Sequence, residues 1–94
     1  MNETERALLE LFHDADSLLA TQQLFAIFLT DTEWRELMNR LRIFVMLAQG
    51  HTQRDIADRL GVGVATVSRG ARAYQQYQLE QRLPQLKQLS LDNL

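Results

Sequence analysis

A stretch punctuated by glycines, residues 52–74, constrains the fold of this 94-residue chain more than any other part of it. Thr52 is a favourable helix N-cap, and Asp55 follows three residues later, as in a capping box. Apolar residues then recur at helical spacing until Gly61, which stands where a helix commonly ends. A second helix is predicted from about Val64. Two short helices joined by a glycine turn are typical of a helix-turn-helix, whose second helix enters the DNA major groove.

The apolar residues of this stretch are spaced to close a small core between its two helices. Ala57 is small where the helices must cross closely. The predicted core residues are Ile56, Leu60, Val62 and Val67. A plain helical hairpin without a nucleic-acid partner is the alternative interpretation.

The distribution of charge favours a DNA-binding face more than the net charge of −2 does. Residues 35–72 carry seven arginines against three acidic residues, whereas the rest of the chain carries three basic residues against nine acidic ones. A basic centre between acidic flanks fits one DNA face on an otherwise acidic body. The alternative, a set of solvated arginines, is weakened because the arginines coincide with the predicted helix-turn-helix.

Several function classes are disfavoured by composition. The chain has no cysteine, and His13 and His51 are far apart without ligand partners, so we expect no metal site. No nucleophile–base set or phosphate-binding loop is visible, so we do not expect an enzyme. The acidic start at residues 1–6 and the short apolar runs at 24–29 and 43–48 predict neither a signal peptide nor a membrane span. We therefore expect a cytoplasmic protein.

The rest of the chain also shows helical patterns and no strand pattern, which predicts an all-α fold with about six helices. Either Asp16 or Ser17 is expected to cap the second helix, with a break near Thr21 as an alternative. Thr30 and Glu33 form a capping-box pattern at the start of a long helix. Pro84 is expected to start or kink the last helix. The predicted segments are helices at 3–13, 18–29 and 31–49, a last helix with leucines at 79, 83, 86 and 89, and a frayed end at 90–94.

The apolar patterns before residue 50 predict burial in the monomer or against a second chain. Residues 24–29 are apolar nearly all round. We therefore predict a single domain over residues 1–94, with a dimerisation core at 1–50, the helix-turn-helix at 51–75 and a C-terminal helix at 76–94. The long helix carries an apolar stripe of Leu37, Leu41, Phe44, Val45 and Ala48.

With these residues laid out, the chain resembles the tryptophan repressor family. The likeness lies in L-T-D-T-E-W-R-E-L-M-N-R-L-R-I and in Q-R-D-I-A-D-R-L-G-V-G-V-A-T-V-S-R-G, and it covers residues 29–75 well. The resemblance implies an intertwined, all-helical homodimer. It also implies that L-tryptophan acts as corepressor, binding between the core and the reading helices and setting their spacing for a palindromic operator.

The resemblance implies a ligand site built around two arginines, Arg40 and Arg69. Guanidinium planes can sandwich an indole and pair with a carboxylate. The backbone carbonyls of Leu29 and Thr30 would accept hydrogen bonds from the amino group of the ligand. The full set of expected ligand-binding residues is Ile27, Leu29, Thr30, Arg40, Ile43, Arg69 and Gly70. A surface salt bridge for Arg40 and a phosphate contact for Arg69 are the alternatives.

The chain departs from the family pattern at four places. Ala73 stands where the family has a serine whose hydroxyl meets the amino group of the ligand. The loop at 49–51 is one residue shorter, and Ala57 and Gln75 replace lysines that hold phosphates. These departures bear more on the identity of the ligand than on the fold.

DNA contacts are expected from the predicted motif and from the helix before it. Arg54 is the candidate for a bidentate contact to guanine, and small residues let the reading helix approach the duplex. A symmetric dimer should prefer half-sites about one helical turn apart. The full set of expected DNA-binding residues is Arg42, Gln53, Arg54, Gly63, Val64, Ala65, Thr66, Ser68 and Arg72.

Two other functions remain open at this point. One is a helix-turn-helix regulator with a different small ligand or none, since residues 47–62 also resemble the output domains of response regulators and sigma factors. The other is a protein-interaction module that no longer binds DNA, against which the arginine cluster argues.

Overall fold

The computed structural model describes residues 1–90, and within them the chain is all-helical, as predicted. The expected fraying beyond residue 90 lies outside the described residues. The elements are α1 (Glu3–His13), α2 (Leu18–Phe28), α3 (Asp31–Ala48), α4 (Gln53–Leu60), α5 (Val64–Gln76), α6 (Leu79–Arg82) and a 3₁₀ helix (Pro84–Gln88). The chain divides into two compact units, a first unit of Met1–Glu36 and a second unit that begins at Leu37.

In the first unit, α1 and α2 begin at side-chain caps. The Glu5 amide donates to Asn2 Oδ1 at 2.8 Å, and the Ala20 amide donates to Ser17 Oγ at 3.0 Å. Ser17 is therefore the cap of α2, one of the two residues predicted. The helix runs unbroken through Thr21, whose hydroxyl donates to the Ser17 carbonyl at 3.0 Å, so the break considered there is wrong.

The predicted capping box starts α3. The Thr30 amide donates to Glu33 Oε1 at 2.8 Å, and the Glu33 amide donates to Thr30 Oγ1 at 3.1 Å. The hydrogen bonds from the Thr30 amide and hydroxyl hold the pKa of the Glu33 carboxyl below its usual value. Reciprocal capping satisfies two backbone donors that would otherwise lack partners. The helix ends at Ala48, one residue earlier than predicted, before Gly50 turns at φ +89°.

The first unit has aromatic contacts but no buried side chain. The ring of Phe25 lies 4.8 Å from that of Phe12 in an edge-to-face arrangement and 5.5 Å from that of Trp34. None of its residues is classed as buried, and large apolar side chains remain exposed. The most exposed of those on α1 and α2 are Leu9, Leu11, Leu18, Leu19, Ile27 and Phe28.

The second unit contains two buried apolar clusters. The first cluster joins α3, α4 and α5, with Ile56 and Val67 fully buried as predicted. Leu60 and Val62 pack against its edge. It also contains Ile43 and Met46, which the predicted stripe on α3 omitted, whereas Leu37 and Leu41 of that stripe are exposed. The second cluster consists of Val45, Leu79 and Leu86, with Phe44, Ala48 and Tyr74 packed against it.

Pro84 divides the C-terminal region into two short helices. The α6 helix ends at Arg82, and a 3₁₀ helix begins at Pro84, because proline has no amide hydrogen to continue the preceding helix. Leu79 and Leu86 are buried, whereas Leu83 and Leu89 are more than one-third exposed. The sequence left open whether the helix starts or kinks at Pro84, and the structure shows that a new 3₁₀ helix starts there.

Candidate nucleic-acid interface

The two-helix motif predicted from the glycines is present, with both ends of α4 defined by local hydrogen bonds. The Asp55 amide donates to Thr52 Oγ1 at 3.1 Å, which caps the start of α4. Gly61 ends α4 in the left-handed conformation at φ +66°, and its amide donates to the Ala57 carbonyl at 2.9 Å. Glycine adopts this conformation at no steric cost. The turn is thus fixed by residues that could be identified from the sequence alone.

Gly70 lets α5 approach α3 closely. A Cβ atom at this position would lie 2.8 Å from Cγ2 of Ile43, nearer than side-chain atoms normally approach. Both residues are buried. The resemblance placed Ile43 and Gly70 at the ligand site. The structure brings them together and gives both a packing role, and their ligand role stays a prediction.

The N-terminus of α5 is open to an external partner. Gly63 precedes the helix and supplies no side-chain cap, so the first amides of α5 receive no acceptor from a side chain. Val64 is 57% exposed, and Ala65 is exposed beside it. Uncapped amides at the positive end of a helix dipole favour an anion such as phosphate.

The arginines expected to contact DNA differ in how they are held. The Arg42 guanidinium donates to Asn39 Oδ1 at 3.2 Å. Arg54 and Arg72 are exposed and have no hydrogen bond or ion pair within residues 1–90. These two side chains are therefore available to pair with phosphate or with a base edge.

Gln53 and Ser68, both expected to contact DNA, bind each other. The Ser68 hydroxyl donates to Gln53 Oε1 at 2.8 Å, which links the first residue of α4 to the second turn of α5. The residues are fifteen positions apart, so their pairing depends on how the two helices cross and has no local sequence signal.

A cluster of three polar side chains at the start of α4, those of His51, Asp55 and Arg59, was not predicted. The Asp55 carboxylate lies 2.8 Å from His51 Nδ1 and accepts from Arg59 Nε at 3.1 Å. The hydrogen bond to His51, followed by that to Arg59, lowers the pKa of Asp55. The Asp55 carboxylate, predicted to complete a capping box, instead contacts His51 and Arg59. The four-residue spacing of Asp55 and Arg59 was the available signal.

The predicted ligand arginines are both exposed and both held by neutral partners. Arg40 Cζ lies 5.6 Å from the ring centroid of Phe44, and that ring lies 6.4 Å from the ring of Tyr74. The Arg69 guanidinium donates to Thr66 Oγ1 at 3.2 Å. Neither arginine forms an ion pair with a carboxylate in the described part of the chain. The surface salt bridge considered for Arg40 is therefore absent there.

The remaining predicted ligand residues belong to the first unit. Ile27 is 73% exposed. Leu29 and Thr30 line a cavity of about 140 Å³ together with Trp34. The Thr30 carbonyl accepts a hydrogen bond from the Trp34 amide at 2.9 Å, the first backbone hydrogen bond of α3. This cavity is smaller than the roughly 300 Å³ at which ligand pockets usually begin. The roles predicted for these three residues stay predictions.

The comparisons with known proteins agree with this geometry. A family model described as Trp repressor protein matches residues 3–89. The chain belongs to the Trp repressor family. Among its curated relatives is a Trp operon repressor homolog of Chlamydia trachomatis serovar D, which is 40% identical over 53 residues. Another is a Trp operon repressor homolog of Aliivibrio fischeri strain MJ11, which is 38% identical over 63 residues.

The matches to these family members are partial. The match to the Chlamydia trachomatis protein covers 55% of this chain and 56% of the relative. The match to the Aliivibrio fischeri protein covers 66% of this chain and 58% of the relative. This chain thus spans little more than half the length of the curated relatives that it matches. No solved structure is significantly similar to it. Within residues 1–90, no helix has the length and apolar character needed to cross a membrane.

Proposed function

We propose that this member of the Trp repressor family is a transcriptional repressor that binds a palindromic operator as a homodimer, with L-tryptophan as its corepressor. The observation that carries the proposal is the open end of α5. A helix N-terminus without a side-chain cap and the exposed Val64 side chain occur in the same two-helix motif as Arg54 and Arg72, whose guanidinium groups have no partner among residues 1–90.

The expected DNA contacts divide into two kinds. Arg42, Arg72 and the first amides of α5 suit phosphate oxygens and give affinity without sequence preference. Arg54 suits the O6 and N7 atoms of guanine, and Val64 suits a thymine methyl group, so these two give sequence preference. Gly63, Ala65 and Thr66 complete the approach of α5 to the duplex.

The homodimer is supported by the first unit. Its helices bury no side chain, and Leu18, Leu19 and Ile27 are each more than 60% exposed. Large apolar side chains exposed in this number are costly in water and favour an interaction site. A second copy of the chain would cover it, and a two-fold axis would present two α5 helices to half-sites about one helical turn apart.

The corepressor is supported by Arg40 and Arg69. Within residues 1–90 neither guanidinium group has a carboxylate partner, and that of Arg40 lies against an aromatic ring. A guanidinium in this state suits an aromatic amino acid, because it can stack on the indole or pair with the carboxylate. A ligand held by Arg69 on α5 would shift the population of reading helices toward the spacing that the operator requires.

A regulator with a different small ligand, or with none, is the second candidate, and Ala73 favours it. Ala73 is 9% exposed on α5 and supplies no hydroxyl where the family resemblance places a serine. Losing a hydrogen bond to a charged amino group costs about 1.5–3 kcal/mol. Tryptophan would then bind more weakly than a ligand that does not need this bond.

Calorimetry with L-tryptophan separates the two candidates, and DNA binding tests what they share. The DNA probe is a 30-base-pair duplex selected by the wild-type protein from a random pool in 1 mM L-tryptophan, followed by fluorescence anisotropy. We expect heat of binding at millimolar tryptophan and tighter DNA binding with it. DNA binding without heat would leave the second candidate, and selection of no duplex would contradict the tryptophan-dependent repressor and a regulator that needs no ligand.

Two substitutions test the division of roles within the motif. Arg69→Ala should lose the response to tryptophan, whereas Arg54→Ala should lose preference for the selected duplex while still binding tryptophan. Equal loss of tryptophan binding in both variants would contradict this division.

A further inference from the structure

The hydrogen bond between Ser68 and Gln53 determines which of the two side chains can reach DNA. Ser68 Oγ lies 2.8 Å from Gln53 Oε1, on the exposed side of the α4–α5 motif. A serine hydroxyl has one hydrogen, and here it is donated to the glutamine oxygen. Phosphate oxygens only accept hydrogen bonds. While this bond is in place, Ser68 has no hydrogen left to donate to a phosphate.

Gln53, in contrast to Ser68, still has hydrogens to donate. Its Oε1 is occupied, and its Nε2 has two hydrogens with no acceptor in the described part of the chain. The bond therefore fixes which end of the amide is free and leaves Gln53 a donor. Gln53 is also the first residue of α4, where the helix dipole favours an anion. In a helix-turn-helix, the first helix crosses the DNA backbone, so the acceptor that it meets is a phosphate oxygen.

We propose that Ser68 is a positioning residue that acts on DNA through Gln53, holding its amide so that Nε2 donates to a phosphate oxygen. This inference rests on the proposed DNA-binding function and replaces the direct DNA contact expected of Ser68. The contact is neutral and sequence-independent. It therefore contributes to affinity and to the register of the motif on the duplex, and not to base discrimination.

A double-mutant cycle tests whether Ser68 acts through Gln53. Affinity for the selected 30-base-pair duplex is measured by anisotropy for the wild type, Ser68→Ala, Gln53→Ala and the double variant. We expect each single variant to bind about 5- to 150-fold more weakly, the range of two net hydrogen bonds, one on each protomer of the dimer. We expect the double variant to bind no more weakly than Gln53→Ala. Equal cost of Ser68→Ala in both backgrounds would show that Ser68 touches DNA itself and would overturn the inference.

Two conservative variants separate the hydrogen-bonding role of Ser68 and Gln53 from their side-chain packing. Ser68→Thr keeps the hydroxyl and should restore wild-type affinity. Gln53→Glu keeps an acceptor for Ser68 but replaces the two donors with a negative charge, so it should bind DNA more weakly than Gln53→Ala does. If Gln53→Glu binds as well as the wild type, no donation from Nε2 occurs and the inference is wrong.

Salt dependence supplies the matched control. Arg72→Ala removes a charge and should reduce the slope of log affinity against log salt by about one unit per protomer, because fewer counterions are released. Ser68→Ala should leave that slope unchanged while lowering affinity. A changed slope for Ser68→Ala, or unchanged affinity, would contradict the inference. If the wild type binds no duplex, the proposed function fails and this inference fails with it, whereas wild-type binding with additive losses overturns this inference alone.

Discussion

The two units of this chain differ in where their apolar side chains go. The first unit exposes large apolar side chains on α1 and α2 and buries none, whereas the second unit buries Ile43, Met46, Ile56 and Val67 in one cluster. Each unit is strongly helical, so helix formation alone does not produce a core. The second unit therefore has apolar clusters of its own, whereas the first unit leaves an apolar surface exposed.

This difference fits a division of labour. A DNA-reading motif must keep α4 and α5 at a fixed angle, and the cluster around Ile56 and Val67 fixes it. A dimerisation surface must instead leave its apolar side chains free until the second copy arrives. The predictions below test the two halves of this comparison.

The largest effect is expected from the core of the second unit. Ile56 is fully buried, so Ile56→Ala removes packed atoms and leaves a cavity. We expect the free energy of unfolding to fall by about 2–5 kcal/mol. Val64→Ala in the same motif removes an exposed side chain and should change the free energy of unfolding by less than about 1 kcal/mol. Urea unfolding at one protomer concentration measures both, and equal losses would contradict the assignment of the core.

The second effect concerns the apolar surface of the first unit. Leu19 is 61% exposed on α2, and Leu19→Lys would place a charge in the surface that a second copy would cover in the proposed dimer. A symmetric dimer would lose two buried leucines at about 1.5–3 kcal/mol each, so its dissociation constant should rise by a factor of roughly 100–10,000 or more. Sedimentation velocity measures the change. Gln75→Lys, at an exposed polar position of α5 outside the first unit, is the control and should leave the dimer intact. An unchanged dimer in Leu19→Lys would place the interface elsewhere.

The third effect concerns the close approach of α5 to α3. Gly70→Ala would put a Cβ 2.8 Å from Ile43 Cγ2, and overpacking of this kind costs about 1–3 kcal/mol. The better helix propensity of alanine offsets about 1 kcal/mol of that cost. Ile43→Leu has no methyl at Cγ2 and should recover part of the loss in the double variant. A Gly70→Ala variant more stable than the wild type would show that the helices can separate without cost.

The smallest effect is the pH dependence of the stability that the cluster of His51, Asp55 and Arg59 gives to the start of α4. His51 and Arg59 hold the pKa of Asp55 below its ordinary value of 3.8. The folded state therefore binds this proton less readily than the unfolded state. The stabilisation that the ionised Asp55 gives the folded state is present above the pKa of Asp55 in the unfolded chain. It is lost as the pH falls through the lower pKa of Asp55 in the folded state.

Urea unfolding of Asp55→Asn and of the wild type at pH 7 and at pH 3 checks this sign. We expect the wild type to be more stable at pH 7 and the difference to shrink at pH 3. Asp58→Asn on the same helix is the control, because the Asp58 carboxylate has no ion pair among residues 1–90. A difference between Asp55→Asn and the wild type that stays constant with pH would contradict the assigned cause.

Much of this fold could be predicted from the sequence because its helix ends are determined locally. Thr30, Thr52 and Gly61 act within a few residues, so capping patterns and glycine positions located the ends of α3 and α4. The same local rules could not decide between two nearby partners. The sequence allowed the Asp55 carboxylate either to cap α4 or to pair with Arg59 four residues later. In the structure it pairs with Arg59.

Features that depend on how helices cross could not be predicted. The contact of Gly70 with Ile43 spans 27 positions, and the bond between Ser68 and Gln53 spans fifteen. The burial of Met46 in place of Leu41 likewise depends on which side of α3 the second unit covers. The ligand and DNA residues were proposed from family resemblance and residue chemistry, and tests of binding will decide their roles.

The most direct test of the proposed division of labour is the mass of the complex between the protein and its selected 30-base-pair duplex, measured by sedimentation equilibrium in 1 mM L-tryptophan. Two chains of 10.9 kDa on each duplex are expected, with none bound when Leu19→Lys is measured at the same concentration. One wild-type chain per duplex, or equal binding by Leu19→Lys, would contradict the account.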